Sequence, residues 1–385
     1  STLIALAGLE SVSGAEGPVR QYLRDWAERR GLPQPMDGAG NLMIRIAGVP
    51  AERDGEPPLL LNAHMDRVPP GRAHTPVLRD GRLMSDGTTN LGADDSAGIA
   101  IILHAVAALA ERALPHPPLL LLFTVGEEVG LVGAKAFDPE PWGCRAGIVF
   151  DNAGEPGALV TRAATYVAFD VLLRGKSGHP GKSLEGTASA IEMFRRAAYP
   201  TAAPAPPAGT RRGRGQARGQ SHHDETTGAL DGDVSRVAIG RVEGGSARNA
   251  VPAELRALGE ARTLLAGAAR DALLAQIERA FTDAAAALGG QAEVTFDIHG
   301  DGYTVDPTEP LVRAWAAAAR ARGAETPTIT TFIGSDASAL RAHTRVFTVS
   351  TGAMNEHTPD EWIALAPLAE LVETAVALLA GYVEV

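Results

Sequence analysis

Three short and almost unbroken apolar runs, each leading into a histidine or an acid, constrain this chain more than any other feature. Residues 59–63 (Leu-Leu-Leu-Asn-Ala) lead into His64-Met65-Asp66, residues 119–125 lead through Gly126 into Glu127-Glu128, and residues 147–150 end at Asp151. Continuous apolar runs of this length suit strands buried on both faces, as in a parallel sheet covered by helices. In such open sheets ligands bind in the crevice at the carboxyl ends of the strands. Two more segments carry comparable chemistry. Gly92-Ala93-Asp94-Asp95 opens an apolar helical stretch, and Asn355-Glu356-His357-Thr358 lies near the C-terminus. All five are expected to meet at one site.

The rest of the chain supports an α/β architecture. Residues 16–30 read as an amphipathic helix, with Val19, Tyr22, Leu23 and Trp26 on one face and Gly31 as its stop. Residues 42–47 read as a strand and 97–110 as a helix. Beyond residue 165 the pattern changes to longer alternating strands at 166–174, 236–242, 254–263 and 293–299, with helices at 187–198 and 268–288. That β-α-β-β-α-β order predicts a small α+β domain inserted into the first. The expected division is 1–162 and 305–385 for a mostly parallel sheet with helices on both faces, and 163–304 for the insert. Residues 200–227, rich in Pro, Ala, Gly and Arg, read as a flexible surface excursion within that insert.

Composition removes several function classes. The chain has 385 residues, a net charge of -11 and 45% hydrophobic residues, which suits two globular domains and argues against nucleic acid or an anionic membrane as the main partner. Arg211, Arg212, Arg214 and Arg218 form the one basic concentration, and they lack the interleaved aromatics of a nucleic-acid arm. Cys144 is the sole cysteine, which fits a reducing cytoplasm. The first ten residues lack the basic segment of a signal peptide. No apolar run approaches the about 20 residues of a membrane helix. Residues 175–183 resemble a phosphate-binding loop, but five residues separate Gly175 from Gly181 where that motif requires four.

Imidazoles and carboxylates together suit Zn²⁺, and Mn²⁺ or Co²⁺ take similar ligand sets. With Asp94, Glu128 and Asp151 as ligands, three negative charges and a shared hydroxide neutralise two dications, and His64 and His357 complete the shells as neutral donors. Without cations these acids, with Asp66 and Glu127, would repel one another and some would take up protons. A metal pair about 3.5–4 Å apart lowers the pKa of a shared water toward about 7. The adjacent Glu127 and Glu128 allow one to ligate while the other accepts the water proton and passes it to the leaving amine. Asp66, two residues beyond His64, is placed to orient that imidazole. Taken singly, each motif has an ordinary reading: Asp94-Asp95 as a helix cap, Glu127-Glu128 as surface polarity. Their joint placement carries the inference. His74, His104, His116, His299 and His343 have no comparable context.

With these motifs in order, nearly the whole chain resembles the co-catalytic zinc peptidases that include peptidase T, glutamate carboxypeptidases and acetylornithine deacetylase. The peptidase T-like branch is matched through His64-Met65-Asp66, Val68-Pro69-Pro70-Gly71, Leu91-Gly92-Ala93-Asp94-Asp95, Glu127-Glu128-Val129-Gly130 and residues 244–249. The resemblance implies that His64 and Asp151 hold one zinc, Glu128 and His357 the other, and Asp94 bridges them. It makes Glu127 the general base, Asp66 the partner of His64, and the Asp94-Asp95 peptide bond cis. It also implies that the insert is a lid and homodimerisation domain, with His179 polarising the scissile carbonyl and Asn249 and Arg262 holding a substrate carboxylate. Ser96, where many relatives have Lys, and Ser335-Asp336-Ala337 depart from the pattern without removing a ligand. The expected activity is a cytoplasmic di- or tripeptide aminopeptidase. N-acyl amino acid deacylase or carboxypeptidase action is the alternative within the family, and a non-catalytic metal-dependent binding protein the alternative outside it.

Overall fold

The computed structural model describes residues 2–198, 222–224, 229–231 and 234–383. The chain divides into two compact units, 1–163 with 303–385, and 164–302. Of the 200–227 excursion, only 222–224 fall among the described residues.

In the first unit the apolar runs become neighbouring strands. The sheet runs in the order Leu42–Ile46, Leu119–Thr124, Leu59–His64, Ala146–Phe150, Arg345–Val349, Leu159–Ala163 and Tyr303–Thr304, with Thr328–Thr331 beside Leu159–Ala163. Its four central strands are mutually parallel, and antiparallel pairs appear toward the edges. Leu61 lies opposite both Leu121 and Ile148, and His64 opposite Thr124. This register brings the residues that follow His64, Thr124 and Phe150 out at the same edge, since parallel strands share one carboxyl end.

Both faces are covered. Leu59, Leu61, Leu121 and Ile148 pack toward the helices Ala93–Glu111, Pro310–Ala321 and Leu365–Gly381. Leu60, Leu120, Leu122 and Val149 pack on the other side with Leu131, Ala134, Ala337 and Leu340. Each fully buried leucine contributes about 1.5–3 kcal/mol, so the alternation of faces holds the register firmly. The helix starts four residues before the expected residue 97, because the Ala93–Glu111 assignment includes two residues, Asp94 and Asp95, with non-helical backbone angles.

That helix corrects one expectation from sequence. It is long and apolar enough to cross a membrane by length and composition, yet it is mostly buried inside the first unit. Its apolar residues face sheet and neighbouring helices over most of its circumference, while His104, Ala110 and Glu111 are exposed.

The second unit is an antiparallel sheet in the order Gln291–Gly300, Thr165–Arg174, Glu254–Thr263, Ser235–Gly244, Ala229–Asp231 and His222–Asp224. Along Thr165–Arg174 burial alternates residue by residue. Phe169, Val171 and Leu173 point to the face covered by the helices Ala190–Ala198 and Gly267–Ala286, where Met193, Phe281 and Ala285 meet them. The short antiparallel strands His222–Asp224 and Ala229–Asp231 extend one sheet edge beyond the strands read from the sequence.

Candidate metal centre

The strand ends and two loops of the first unit bring His64, Asp94, Glu127, Glu128, Asp151 and His357 into one cluster. Three overlapping groups have ligand atoms within 4.8 Å of one another: His64, Asp94 and Asp151; Asp94, Glu128 and His357; and His64, Glu127 and Glu128. Asp94 stands at the junction of the first two. Its Oδ1 lies 3.0 Å from His64 Nε2 and its Oδ2 lies 3.1 Å from His357 Nε2.

Local backbone aims each group. His64 Nδ1 is 2.9 Å from the Asp66 carbonyl and 3.4 Å from the Asp66 Oδ1, so it carries its proton there and turns Nε2 toward Asp94. The Asp66 carboxylate accepts Ser13 Oγ at 2.7 Å and the amides of Glu127 and Glu128 at 3.0 and 3.2 Å. It thereby fixes the turn that presents both glutamates. His357 has φ of 64 and Asn355 of 56, left-handed values that cost a non-glycine residue about 1–3 kcal/mol. The surrounding structure must hold the His357 ring in place. The Asp94-Asp95 peptide bond is cis.

Asp95 points away from this cluster. Its Oδ2 accepts the His64 amide at 3.1 Å and its Oδ1 the Gly98 amide at 3.0 Å, so Asp95 caps the helix while Asp94 faces the site. A Cβ at Gly98 would meet the Phe150 carbonyl at 2.1 Å and Asp95 Oδ1 at 2.5 Å. Only glycine lets the helix come this near the strand end.

The electrostatics call for cations. Burial pushes Asp151 up to about 7, aided by the Asp94 charge, and burial raises Glu127 well above its ordinary value. For His64 burial opposes protonation, but the hydrogen bonds to Asp66 and Asp94 overcome it and raise its pKa. Asp94 experiences the same burial, yet bonds to His357 and His64 hold it below the usual carboxylate range. The hydrogen bond to Asp94 and the close Glu128 carboxylate raise His357 to about 10. A neutral imidazole whose second nitrogen faces a carboxylate oxygen at 3.0 Å sets lone pair against lone pair, so something positive belongs between them. His357 Nε2 faces two acceptors at once, Asp94 Oδ2 and, at 3.0 Å, Glu128 Oε1. Its ring is aligned on Asp94, and the buried Glu128 Oε1 is left without a hydrogen-bond donor. One proton cannot serve both contacts, whereas a metal ion could. The donor set of two imidazoles and three carboxylates fits divalent metal.

Three residues that sequence reasoning missed support this arrangement. Glu361 accepts the amides of Gly92 at 2.8 Å and Asp94 at 3.1 Å. Asp336 lies buried beneath the strand ends, bonded to Thr124 Oγ1 and, at 3.3 Å, to Asn62. Ser13 holds Asp66. All three act on atoms distant in the chain, and no spacing announces them.

His179, Asn249 and Arg262 belong to the second unit. His179 is exposed, with Nδ1 accepting the Gly181 amide at 3.1 Å. Its loop joins the Asn249 turn through the Val251 amide on the Gly178 carbonyl at 2.8 Å. Arg262 is half-buried, paired with Glu260 at 3.1 Å and stacked 4.5 Å over the Tyr166 ring.

Fold and site together define an α/β protein with a candidate metal-binding cluster at the carboxyl ends of its central strands. The chain belongs to the peptidase family M20/M25/M40, which residues 60–382 match. It is 32% identical to the Bacillus subtilis protein YqjE over 344 residues, 89% of this chain and 84% of that protein. Among solved structures it resembles the aminopeptidase PepT from Bacillus cereus, at 29% identity and TM-score 0.83, covering 98% of this chain and 96% of that one. A tripeptidase from Staphylococcus aureus is similar at 27% identity and TM-score 0.86, with the same coverage. The likeness to the peptidase T-like branch therefore spans fold and sequence.

Proposed function

We propose that this protein is a two-zinc metallohydrolase that cleaves the amide bond of small peptides, acting as a di- or tripeptide aminopeptidase. One observation carries the reading: the Asp94 carboxylate divides its two oxygens between His64 and His357, at the shared corner of two ligand groups. His64 and Asp151 would hold one ion, Glu128 and His357 the other, and Asp94 both. Mn²⁺ or Co²⁺ would suit the same donors. When bound, such ions supply Lewis-acid polarisation of the scissile carbonyl and a water that ionises near neutral pH.

The residues of the chain do the rest. Glu127 accepts a proton from water and returns it to the departing amine nitrogen, with burial keeping its carboxylate basic enough for both steps. Asp66 holds the Glu127 and Glu128 amides, so base and ligand keep a fixed spacing. We assign the second unit, on the resemblance, as lid and homodimerisation domain, with His179 donating to the developing oxyanion and Asn249 and Arg262 binding a substrate carboxylate. The aminopeptidase and tripeptidase named above favour a peptidase over a deacylase, and the single cysteine fits a reducing cytoplasm.

Metal analysis combined with a peptide library bearing free and blocked termini tests this reading. Two equivalents of metal and cleavage that requires a free amine are expected. Cleavage that requires a free carboxylate and tolerates an acylated amine would move the assignment to carboxypeptidase or deacylase.

A further inference from the structure

Glu361 is an acid that the proposed mechanism leaves unused, and it is 1% exposed. Both of its oxygens are committed to the segment that carries Asp94: Oε2 to the Gly92 amide at 2.8 Å, Oε1 to the Asp94 amide at 3.1 Å. A carboxylate near a helix start ordinarily serves the free amides of the first turn. That explanation fails here, because Asp94 and Asp95 have non-helical backbone angles and the first regular turn is capped by Asp95 through the Gly98 amide. Glu361 acts on the ligand segment and not on the helix behind it.

The other side of the segment is occupied by Arg67. Its guanidinium is 2% exposed, donates to the Leu6 carbonyl at 2.9 Å, and leaves Nη1 unpartnered. A Cβ at Gly92 would lie 2.7 Å from Arg67 Cζ, and Gly92 has φ of 72, so only glycine fits between them. Glu361 is the acid whose charge favours the cationic form of Arg67. Chain positions matter as well. Arg67 follows His64 by three residues, Gly92 precedes Asp94 by two, and Glu361 follows His357 by four. One buried acid and one buried base thus secure the three segments that deliver His64, Asp94 and His357.

We propose that Glu361, backed by Arg67, is a positioning residue that sets the orientation of Asp94 and ties it to the His357 loop. Burying a carboxylate costs several kcal/mol, and a neutral side chain could satisfy one amide more cheaply. Two acceptor oxygens on one group are what two neighbouring amides need. Glutamine offers a single oxygen and turns an N–H toward the second amide. The inference rests on the metal-centre reading for its consequence, though the contact itself does not.

Zinc affinity of the full chain, stripped and titrated against a chromophoric chelator, tests the proposal in wild type and Glu361→Gln. Loss of about 10- to 100-fold in affinity is expected for both ions, as for removal of groups that orient a ligand, because Asp94 serves both. Metal-free melting temperature should change little. Unaltered zinc affinity in the variant would overturn the proposal, as would a fall in melting temperature that is equal with and without zinc and leaves affinity intact. Amide exchange at residues 92 and 94 in metal-free protein gives a second readout. It should accelerate at least tenfold in the variant, and unchanged protection would overturn the clamp. A wild type that binds no zinc would sink the metallohydrolase reading, while the exchange measurement would still judge the clamp. Should Glu361→Gln not fold, Glu361→Asp, which keeps both oxygens one methylene short, is read by the same two measurements.

Discussion

Both units pair charges on their surface, but among the described residues only the first buries several acids together. In the second, Glu192 meets Arg195 and Arg196 at 2.8 and 3.1 Å on the surface, and their hydrogen bonds hold it down to about 2. Arg174 pairs with Glu293 at 3.2 Å and Arg241 with Glu243, all of them exposed. In the first, Asp66, Asp95, Asp151, Asp336 and Glu361 are all buried, and Arg67 is the buried arginine near them. Exposed pairs add little to stability, and acids buried together subtract from it. A fold tolerates the second arrangement where something outside the protein supplies the missing positive charge. The contrast therefore locates function in the first unit without reference to any relative.

The sharpest way to break the contrast is to remove the base while leaving the ligands. Glu127→Gln should keep its metal and lose about 10²- to 10⁴-fold or more in kcat. Near-normal turnover would show that the burial of Glu127 has nothing to do with proton transfer. A second test takes its residue from the paired, exposed unit. His179→Ala should lower kcat by about 10²-fold, the scale of one lost oxyanion donor, with metal content intact. Metal lost on that substitution would show that the first unit does not hold the ions by itself.

What was readable beforehand follows the same boundary. Short apolar runs suit buried strands, and the polar residue ending such a strand emerges at the sheet edge, so His64, Glu127, Glu128 and Asp151 could be placed from sequence. Asp94 and His357 came from loops, and their pairing needed the resemblance. Asp336 and Glu361 were illegible for a common reason. Their partners are backbone amides, a side-chain amide and a buried hydroxyl 212 to 274 residues away, and neither periodicity nor spacing records such contacts. The apolar helix Ala93–Glu111 was legible as a helix, but its burial depended on neighbours that sequence does not announce.

Metal removal sharpens the comparison through pH. In metal-free protein burial pushes Asp151 and Glu361 up to about 7 and Asp336 up to about 6. In the unfolded chain such acids titrate near about 4. Between those values the folded state holds more protons than the unfolded one, so stability falls as pH rises from about 4 to 7. His357 adds stability that is complete below its ordinary 6.5 and lost as pH climbs toward about 10. Both slopes have one sign. Thermal melts of stripped protein should therefore fall steadily from pH 5 to 9, while the increment restored by zinc grows over the same range. A metal-free melting temperature that rises between pH 5 and 8 would contradict the burial assigned to these acids.

The smallest effect isolates one acid that is not a proposed ligand. Asp336 accepts a bond from Thr124 Oγ1, and its Oδ1, like Asn62 Oδ1, is a buried acceptor with no donor. Asp336→Asn removes the charge, keeps an oxygen for Thr124 and replaces the donorless Oδ1 with an N–H, in a place where Asn62 Oδ1 also lacks a donor. With its pKa raised from 3.8 to about 6, the ionised form is penalised at neutral pH by at most about 3 kcal/mol. The variant should accordingly be more stable than wild type by about 1–3 kcal/mol at pH 8 in metal-free denaturant titrations. At pH 4, where the native acid is already protonated, the two should coincide. Destabilisation at pH 8 would mean that the negative charge of Asp336 is itself needed beneath the strand ends, and the first unit would then bury one acid for its own structure and not for a metal.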